Sequence, residues 1–184
     1  MTPKDLFQIV SCGNRANVFP CYLNPLGVTV QCRHETGNFR SQSMLTHWNL
    51  AGIKCTRGWV SRGGKCFSSR TWEEKAGQRV DLVAGFRSYS GVDEFLRDYA
   101  QIIAASYPVS AASPDCVWLF YAGLHGRWAT DSSYFRALVA LTTHTAPLVG
   151  MSMETLRHSH DAALGRGYPF PWMEEVVGQC LGVS

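Results

Sequence analysis

The sequence predicts an α+β fold, in which a mostly helical lobe carries a small β-hairpin lobe and a cleft lies between the two. From Ser90 onward, apolar residues recur at every third or fourth position, which is the period of amphipathic helices. Between residues 57 and 89, glycine-rich turn residues and alternating apolar positions instead indicate short strands. The 184 residues, 46% of them hydrophobic, suffice for one domain with its own core.

The first helix is predicted to end at Glu35. The segment PLGVTVQCR at residues 25–33 is mostly apolar, and Gly37 supplies the left-handed residue with which helices commonly end. Glu35 then lies in the last turn near the core, where burial and the negative end of the helix dipole both raise the pKa of its carboxyl group. A rise of roughly one to two pH units suits a general acid. The alternative interpretation is a surface glutamate that merely ends a helix.

The hairpin is predicted from residues 57–69, with residues 61–64 as its turn, and residues 78–89 continue with a partial strand alternation. Seven cysteines without a CxxC pair argue against a zinc ribbon or a thioredoxin-type site. Cys55 and Cys66 flank the glycine-rich turn. They are predicted either to form a disulfide, if the compartment is oxidising, or to remain free thiols.

Five helices are predicted after the hairpin from capping residues and apolar periodicity. The expected starts of the first three are the capping pair Ser90 and Asp93, the dipeptide Ser113-Pro114, and Asp131; the other two helices are expected at about residues 152–164 and 171–181.

Composition excludes several classes of protein. The formal net charge is +3 without a long run of lysine or arginine, so no nucleic-acid surface is predicted. No segment approaches the roughly 20 apolar residues that span a bilayer, so no membrane insertion is predicted. The N-terminal residues lack the apolar region of a signal peptide, and a soluble chain is therefore expected, whose export would use another route or a removed leader.

A second carboxylate is expected across the cleft from Glu35. The hairpin lobe offers Glu73, Glu74 and Asp81. Most glycoside hydrolases use two carboxyl groups on opposite walls of a cleft as their catalytic groups. This chemistry needs no metal and no organic cofactor.

These motifs together resemble the bacterial glucosaminidases of glycoside hydrolase family 73, which hydrolyse peptidoglycan. The resemblance covers about residues 25–142 and rests on five segments in the family's order. They are HETGNF (34–39), similar to E-S-G-W-G; WNLAGIK (48–54), similar to N-N-L-F-G-I-K; TWEEKAG (71–77), similar to T-x-E-x-x-x-G; FRSYSGVDEFLRDYAQII (86–103), similar to F-R-x-Y and the helix after it; and WATDSSYFRAL (128–138), similar to Y-A-T-D-P-x-Y-x-x-x-L.

The resemblance implies a lysozyme-like fold and assigns roles to single residues. Glu35 matches the catalytic glutamate and is the implied general acid. Glu73 matches the glutamate of the T-x-E segment and is the implied second carboxylate, whereas its neighbour Glu74 would point to the other face of the strand. The candidate substrate-binding residues are Asn49, Gly52, Trp128, Trp48 and Tyr121.

Some positions depart from the family's pattern. The tryptophan of E-S-G-W-G is replaced by Asn38, and the proline after A-T-D by Ser132. Trp48 and Ala51 replace the first asparagine and the phenylalanine of N-N-L-F-G. Trp128 stands where the family has a tyrosine, so it lacks the phenol hydroxyl and keeps an aromatic face.

The implied function is hydrolysis of the β-1,4 bond between N-acetylglucosamine and N-acetylmuramic acid, as an endo-β-N-acetylglucosaminidase. Glu73 would either activate a water molecule, which inverts the anomeric centre, or stabilise charge while the substrate's own N-acetyl group attacks. Muramidase or lytic transglycosylase activity on the same substrate, and a catalytically inactive wall-binding module, are the alternatives. The expected partner is the glycan strand of bacterial peptidoglycan. The expected place of action is the cell wall outside the cytoplasm, whether periplasmic, secreted or virion-associated.

Residues 1–142 are predicted to form the lysozyme-like glucosaminidase domain, and residues 143–184 a C-terminal helical extension packed on the same domain. The extension lies outside the resemblance. Its last part has an amphipathic pattern and is expected to pack on the helical lobe or to dock a partner.

Overall fold

A computed structural model describes residues 1–75, 78–129 and 133–183, and side chains are described for all of these except residues 43, 44, 72–75, 78 and 79. The predicted mostly helical α+β fold with one small hairpin is confirmed. The strands are β1 (Lys65–Lys75) and β2 (Gln78–Ser88); the helices are α1 (Pro3–Arg15), α2 (Pro25–Glu35), α3 (Gln42–His47), α4 (Arg57–Val60), α5 (Val92–Ser106), α6 (Pro108–Ala111), α7 (Val117–Leu124), α8 (Tyr134–Thr145), a 3-10 helix (Ala146–Val149), α9 (Met153–Arg166) and α10 (Pro171–Leu181).

Helix α2 is the centre of the helical lobe, because every residue from Leu26 to Cys32 is buried. A helix that is buried on all sides must be enclosed by other helices, and α1, α7 and α8 pack around it. Its start is fixed by Asn24, whose side-chain oxygen accepts the backbone N–H of Gly27 at 2.7 Å. Its end falls at Glu35, as predicted, and Gly37 follows in the left-handed conformation with a φ of 54°.

The β-hairpin is longer than the sequence indicated. Strands β1 and β2 pair antiparallel over their whole length, from Lys65 opposite Ser88 to Lys75 opposite Gln78, and the connection between them lies outside the described residues. The predicted strand over residues 78–89 is confirmed as β2.

The prediction that residues 57–69 form a hairpin with its turn at 61–64 is wrong. Residues 57–60 form helix α4 instead, because the Thr56 hydroxyl accepts the Trp59 N–H at 3.2 Å and caps the turn. The Trp59 indole N–H in turn donates to the Lys65 carbonyl oxygen at 2.9 Å. The glycine-rich residues therefore join a helix to a strand, not two strands.

Two predicted helix starts are also corrected. Before α5, the N–H and hydroxyl of Ser90 both donate to Glu94 at 2.7 Å, so Glu94 replaces the expected partner Asp93. Helix α7 begins only at Val117, because the carbonyl oxygen of Pro114 accepts the side-chain N–H of Asn24 instead of continuing a helix. The predicted cap Asp131 lies outside the described residues. The two later helices are confirmed as α9 and α10.

Cys55 and Cys66 form a disulfide, which is one of the two alternatives that the sequence allowed. The other five cysteines are free thiols. The backbone N–H of Cys55 also donates to the Gly85 carbonyl oxygen at 2.9 Å. The loop after α3 is therefore fastened to both strands, covalently to β1 and by a hydrogen bond to β2.

A buried ion pair anchors the hairpin to helix α5. Arg87 of β2 donates to both carboxylate oxygens of Asp98 at 2.6 and 2.7 Å, and the Tyr89 hydroxyl donates to the same carboxylate at 2.6 Å. The Arg87 guanidinium also lies over the Trp59 ring at 4.9 Å. Both charged residues are less than a tenth exposed. Each charge has therefore lost most of its contact with water, and the opposite charge of its partner compensates for that loss.

The C-terminal helices pack on the same core. Helix α10 contacts α8, and α9 contacts α7. The indole N–H of Trp118 on α7 donates to the Leu156 carbonyl oxygen at 3.1 Å, while Met173 and Val177 of α10 are fully buried. Within the described ranges, no helix is both long enough and apolar enough to cross a membrane.

Loss of the Arg87–Asp98 pair is expected to destabilise the protein strongly. In Asp98→Asn, Arg87 keeps its buried charge without a counter-charge, which costs about 3–5 kcal/mol of unfolding free energy. The matched control is Asp115→Asn, because Asp115 pairs with Arg166 at 2.9 Å but is 71% exposed. That control is expected to cost less than about 1 kcal/mol. Equal losses for both variants in denaturant unfolding would contradict the anchoring role.

Candidate active site

The carboxyl group of Glu35 is held at the end of α2 between two hydrogen-bond donors from a distant part of the chain. Tyr134, the first residue of α8, donates its hydroxyl to Oε1 of Glu35 at 2.7 Å. The indole N–H of Trp128, just beyond the end of α7, is the second polar group that acts on this carboxyl group, and it lowers the pKa of Glu35. Glu35 is largely buried but keeps some contact with solvent. It can therefore be reached from outside while most of its surroundings exclude water.

The loop of residues 48–53 forms a third side of this site. A Cβ atom added to Gly52 would lie 3.4 Å from Oε2 of Glu35, and Gly52 has a φ of 61°. Glycine is favoured here because the left-handed conformation strains other residues and because the loop backbone comes close to the carboxyl group. The predicted site residue Gly52 thus lies beside Glu35.

Asn49 holds this loop in place. Its side-chain N–H groups donate to the carbonyl oxygens of Ile53 and Arg87 at 2.9 and 2.8 Å, and its side-chain oxygen accepts the Ile53 N–H at 2.8 Å. The residue is 2% exposed. Both amide hydrogens are therefore occupied by the protein, and Asn49 acts on the site by shaping the backbone around Gly52, not by presenting its amide to a ligand.

Burial raises the pKa of Glu35 from 4.5 to about 7. The cause is desolvation, which disfavours the ionised carboxylate, and it outweighs the opposing effect of the hydrogen bonds from Tyr134 and Trp128. A carboxyl group with this pKa carries its proton in a large fraction of molecules at neutral pH. It also has two donors in place to stabilise the carboxylate once the proton has left, which is the behaviour of a general acid.

Trp128 is fixed by aromatic packing on both sides. Its ring centroid lies 5.5 Å from that of Tyr99 and 5.3 Å from that of Tyr107. The indole N–H thus supplies a donor to Glu35 at the position where the family's pattern has a tyrosine hydroxyl. The side chain remains partly exposed, so part of its surface borders the site.

Tyr134 is a site residue that the sequence analysis did not identify. The apolar period of residues 134–141 indicates only that it faces the core, and it is 3% exposed. The available signal was the second tyrosine of the Y-A-T-D-P-x-Y pattern, which Tyr134 matches in WATDSSYFRAL. Periodicity predicts burial but not that a buried hydroxyl reaches a carboxyl group 99 residues away along the chain.

The two remaining candidate substrate-binding residues, Tyr121 and Trp48, lie in different environments. Tyr121 has no exposed surface, and its hydroxyl pairs with Thr142 at 2.8 Å, so the prediction that it binds substrate is corrected: it is a core residue. Trp48 is partly exposed and adopts a left-handed φ of 51° directly before Asn49, at the edge of the loop that meets Glu35.

The predicted second carboxylate, Glu73, lies outside the residues whose side chains are described. Its backbone position is known: it pairs with Val80 near the far end of the hairpin. Position 73 has the same parity in β1 as positions 67, 69 and 71, which are half-buried, whereas positions 66, 68 and 70 are exposed. Among the described residues, no cluster of three or more histidine, cysteine, aspartate or glutamate side chains could hold a metal ion.

Comparison with known proteins finds a family and a fold. The family model for glucosaminidases, described as mannosyl-glycoprotein endo-beta-N-acetylglucosaminidase, matches residues 22–146. A search of curated proteins finds no match. Among solved structures, a mutant peptidoglycan hydrolase from Sphingomonas sp. A1 is 26% identical with a TM-score of 0.63, over 83% of this chain and 95% of that chain.

Two further structures share the fold. The catalytic domain of the autolysin Auto from Listeria monocytogenes is 23% identical with a TM-score of 0.57, over 80% of this chain and 81% of that one. A truncated glycoside hydrolase domain of FlgJ from Salmonella typhimurium is also 23% identical with a TM-score of 0.57, over 82% of this chain and 99% of that one. The implied lysozyme-like architecture agrees with these likenesses. Because the matching family model spans well over half of the sequence, the chain belongs to the glucosaminidase family and is a glycoside hydrolase.

Proposed function

We propose that the protein is an endo-β-N-acetylglucosaminidase that hydrolyses the β-1,4 bond between N-acetylglucosamine and N-acetylmuramic acid in bacterial peptidoglycan. The observation that carries the proposal is Glu35: it stands at the family's catalytic position, it is largely buried, and two donors engage its carboxyl group. The Sphingomonas structure, a peptidoglycan hydrolase, supports the choice of substrate. Such an enzyme acts on the cell wall, outside the cytoplasm.

Glu35 is the general acid in this proposal. Because Oε1 accepts the Tyr134 hydroxyl, we assign the transferable proton to Oε2, the oxygen beside Gly52. The proton passes to the glycosidic oxygen as the bond from that oxygen to the anomeric carbon breaks, and the leaving sugar departs as an alcohol. Tyr134 and Trp128 then stabilise the carboxylate that remains on Glu35.

Glu73 is the second carboxylate in this proposal. In an inverting reaction it removes a proton from the water molecule that attacks the anomeric carbon, and the product keeps that oxygen as its new hydroxyl group. In a substrate-assisted reaction the N-acetyl oxygen of the sugar attacks first, and Glu73 stabilises the positive charge that develops. The anomeric configuration of the first product, observed by proton NMR, decides between them, because only the direct attack of water inverts it.

The parity of position 73 supports Glu73 over Glu74 as the active carboxylate, because the half-buried positions of β1 have that parity and the exposed ones do not. On the other walls of the site, the backbone at Gly52 and the partly exposed rings of Trp48 and Trp128 offer surfaces for the sugar. We assign residues 1–142 to the hydrolytic unit and residues 143–184 to a helical support that packs behind α7 and α8.

Replacement of Glu35 by glutamine is expected to reduce peptidoglycan hydrolysis by about 10²–10⁴-fold, the usual contribution of a general acid. Zymography and dye release from purified peptidoglycan measure this loss. Identification of the sugar at each newly formed reducing end should give N-acetylglucosamine. N-acetylmuramic acid would indicate a muramidase, and an anhydro sugar would indicate a lytic transglycosylase.

A stability measurement on the same variant excludes misfolding as the cause of the loss. Since the pKa of Glu35 is higher in the folded than in the unfolded protein, ionisation destabilises the fold as the pH rises from 4.5 through about 7. At alkaline pH, the free energy of unfolding of Glu35→Gln should therefore exceed that of wild type by on the order of 3 kcal/mol. The variant should unfold at a correspondingly higher denaturant concentration. Wild-type activity in Glu35→Gln would contradict the assignment.

The activity of the wild-type enzyme is expected to decline as the pH rises through about 7, because Glu35 loses the proton that it must donate. Tyr134→Phe removes a donor that stabilises the carboxylate, so the alkaline limb of the profile should move to higher pH while kcat falls. Profiles of kcat/KM over a range of pH values measure both effects. A limb that stays in place in Tyr134→Phe, or that moves to lower pH, would show that it reports on another group.

Glu73→Gln is expected to reduce hydrolysis by about 100-fold or more, whereas Glu74→Gln should remain close to wild type. The two residues are neighbours in β1, so the pair controls for charge and for effects on the hairpin. Initial rates on purified peptidoglycan provide the comparison. If Glu74→Gln loses activity and Glu73→Gln does not, the second carboxylate is Glu74. If both variants stay active, the second carboxylate lies outside β1.

A further inference from the structure

The segment between Glu35 and Glu73 has an uneven distribution of charge. It contains six lysine and arginine residues and no aspartate or glutamate, although the net charge of the whole chain is only +3. The six are Arg40, Lys54, Arg57, Arg62, Lys65 and Arg70, and all of them are exposed. A segment of this charge attracts anions, so a cavity within it is a candidate binding site for a negatively charged group.

Such a cavity lies at the base of the hairpin, beside α4. It is an open pocket of about 610 Å³, a size typical of sites that bind small ligands. Its polar lining consists of Thr56, Arg57, Ser61 and Ser68, and its apolar lining includes Val60 and the disulfide. None of the described residues that line it is acidic. We call this cavity the basic pocket.

The polar groups of the basic pocket have hydrogen atoms left to donate. Among the described residues, no acidic side chain pairs with Arg57. The Thr56 hydroxyl oxygen accepts the Trp59 N–H at 3.2 Å, which leaves the hydroxyl hydrogen for another acceptor. A guanidinium group presents parallel N–H donors that match the two oxygens of a carboxylate. The basic pocket therefore fits an anionic acceptor better than a cation.

Two further arginines extend the positive charge around the basic pocket. The guanidinium group of Arg62 lies along α4, 3.6 Å from the place where a Cβ atom on Gly58 would stand. Arg70 has the same parity in β1 as Ser68, so both side chains lie on the same face of the strand. Asp81, the acidic residue of the hairpin whose side chain is described, lies farther toward the tip than Arg70. The charge on the pocket's side of the hairpin base is therefore positive.

We propose that the basic pocket binds a free carboxylate of the stem peptides, the short peptides that peptidoglycan carries on its N-acetylmuramic acid residues. These peptides contain alanine, so they bring a carboxylate for Arg57 and a methyl group for the apolar lining, where Val60 is 55% exposed. Phosphate-bearing wall polymers carry the same sign of charge without that methyl group. The inference rests on the proposed function, which makes peptidoglycan the substrate.

The basic pocket is a site separate from the cleft. Its residues in β1, Cys66 and Ser68, have the opposite parity to position 73, so the pocket opens on the other face of the hairpin. Cys55 at its border is three residues from Gly52, which allows at most about 11 Å between the two Cα atoms. Because one wall fragment carries many peptides, a second contact so near the acid raises the effective concentration of glycan at the cleft.

The direct test uses the tripeptide diacetyl-L-lysyl-D-alanyl-D-alanine, whose only carboxylate is at its C-terminal end. It is titrated into the wild-type protein while the amide NMR signals are recorded. Signals of residues 55–68 should shift, and the same peptide with a C-terminal amide should bind about tenfold more weakly, because it lacks the charge that pairs with Arg57. Inorganic phosphate at equal concentration should not displace the tripeptide. Equal binding of the two peptides, no shift with either, or displacement by phosphate would overturn the proposal.

A pair of surface variants separates the basic pocket from the general charge of the segment. Arg57→Gln should weaken binding of the tripeptide about tenfold. Arg40→Gln is the matched control, because Arg40 is exposed and belongs to the same segment but does not line the pocket. The control should bind the tripeptide as wild type does. Equal losses in the two variants would show that only net charge matters, and the pocket assignment would be wrong.

On the active enzyme, Arg57→Gln should raise KM for intact peptidoglycan about fivefold and leave kcat unchanged. Glycan strands from which an amidase has removed the peptides should be cleaved equally by the variant and by wild type. The same rise in KM on both substrates would contradict a site for stem peptides. A failure of the proposed function would appear differently, as a wild-type protein that binds the tripeptide as expected but cleaves neither substrate.

Discussion

The whole site depends on keeping one carboxyl group away from bulk water without leaving it unpaired. Glu35 ends a helix that is buried on every side, and this burial raises its pKa to about 7. Burial alone would give an acid that resists releasing its proton. The donors from Tyr134 and Trp128 counter this by stabilising the carboxylate. The balance between desolvation and two hydrogen bonds thus sets an acid strength that allows proton transfer near neutral pH.

The rest of the fold holds that balance in place. Asn49 fastens the loop that brings Gly52 against Glu35, and one of its bonds is to the backbone of Arg87. Arg87 is in turn fixed to α5 through Asp98, and the disulfide between Cys55 and Cys66 joins the same loop to β1. The hairpin lobe and the acid therefore share one set of supports. A displacement of the hairpin would therefore also displace this loop and change the surroundings of the Glu35 carboxyl group.

Sequence reasoning identified the parts of this site that lie within one motif. The end of α2 and the unusual setting of Glu35 follow from local signals, namely an apolar run and the glycine after it. The donors could not be found in this way, because Tyr134 and Trp128 reach Glu35 only through tertiary packing. Periodicity also could not distinguish Tyr121, which is core, from Tyr134, which is core and functional. The strand start was misplaced because Gly63 and Gly64 suit a hairpin turn as well as the observed helix-to-strand connection.

The most direct test of this account is infrared difference spectroscopy of wild type against Glu35→Gln, which detects the carbonyl stretch of a protonated carboxyl group. At about pH 6 the wild-type protein should show this band, and it should disappear as the pH rises through about 7. A difference spectrum that contains only ionised carboxylate at about pH 6 would mean that Glu35 titrates as a free glutamate, and the assignment of the acid would then be wrong.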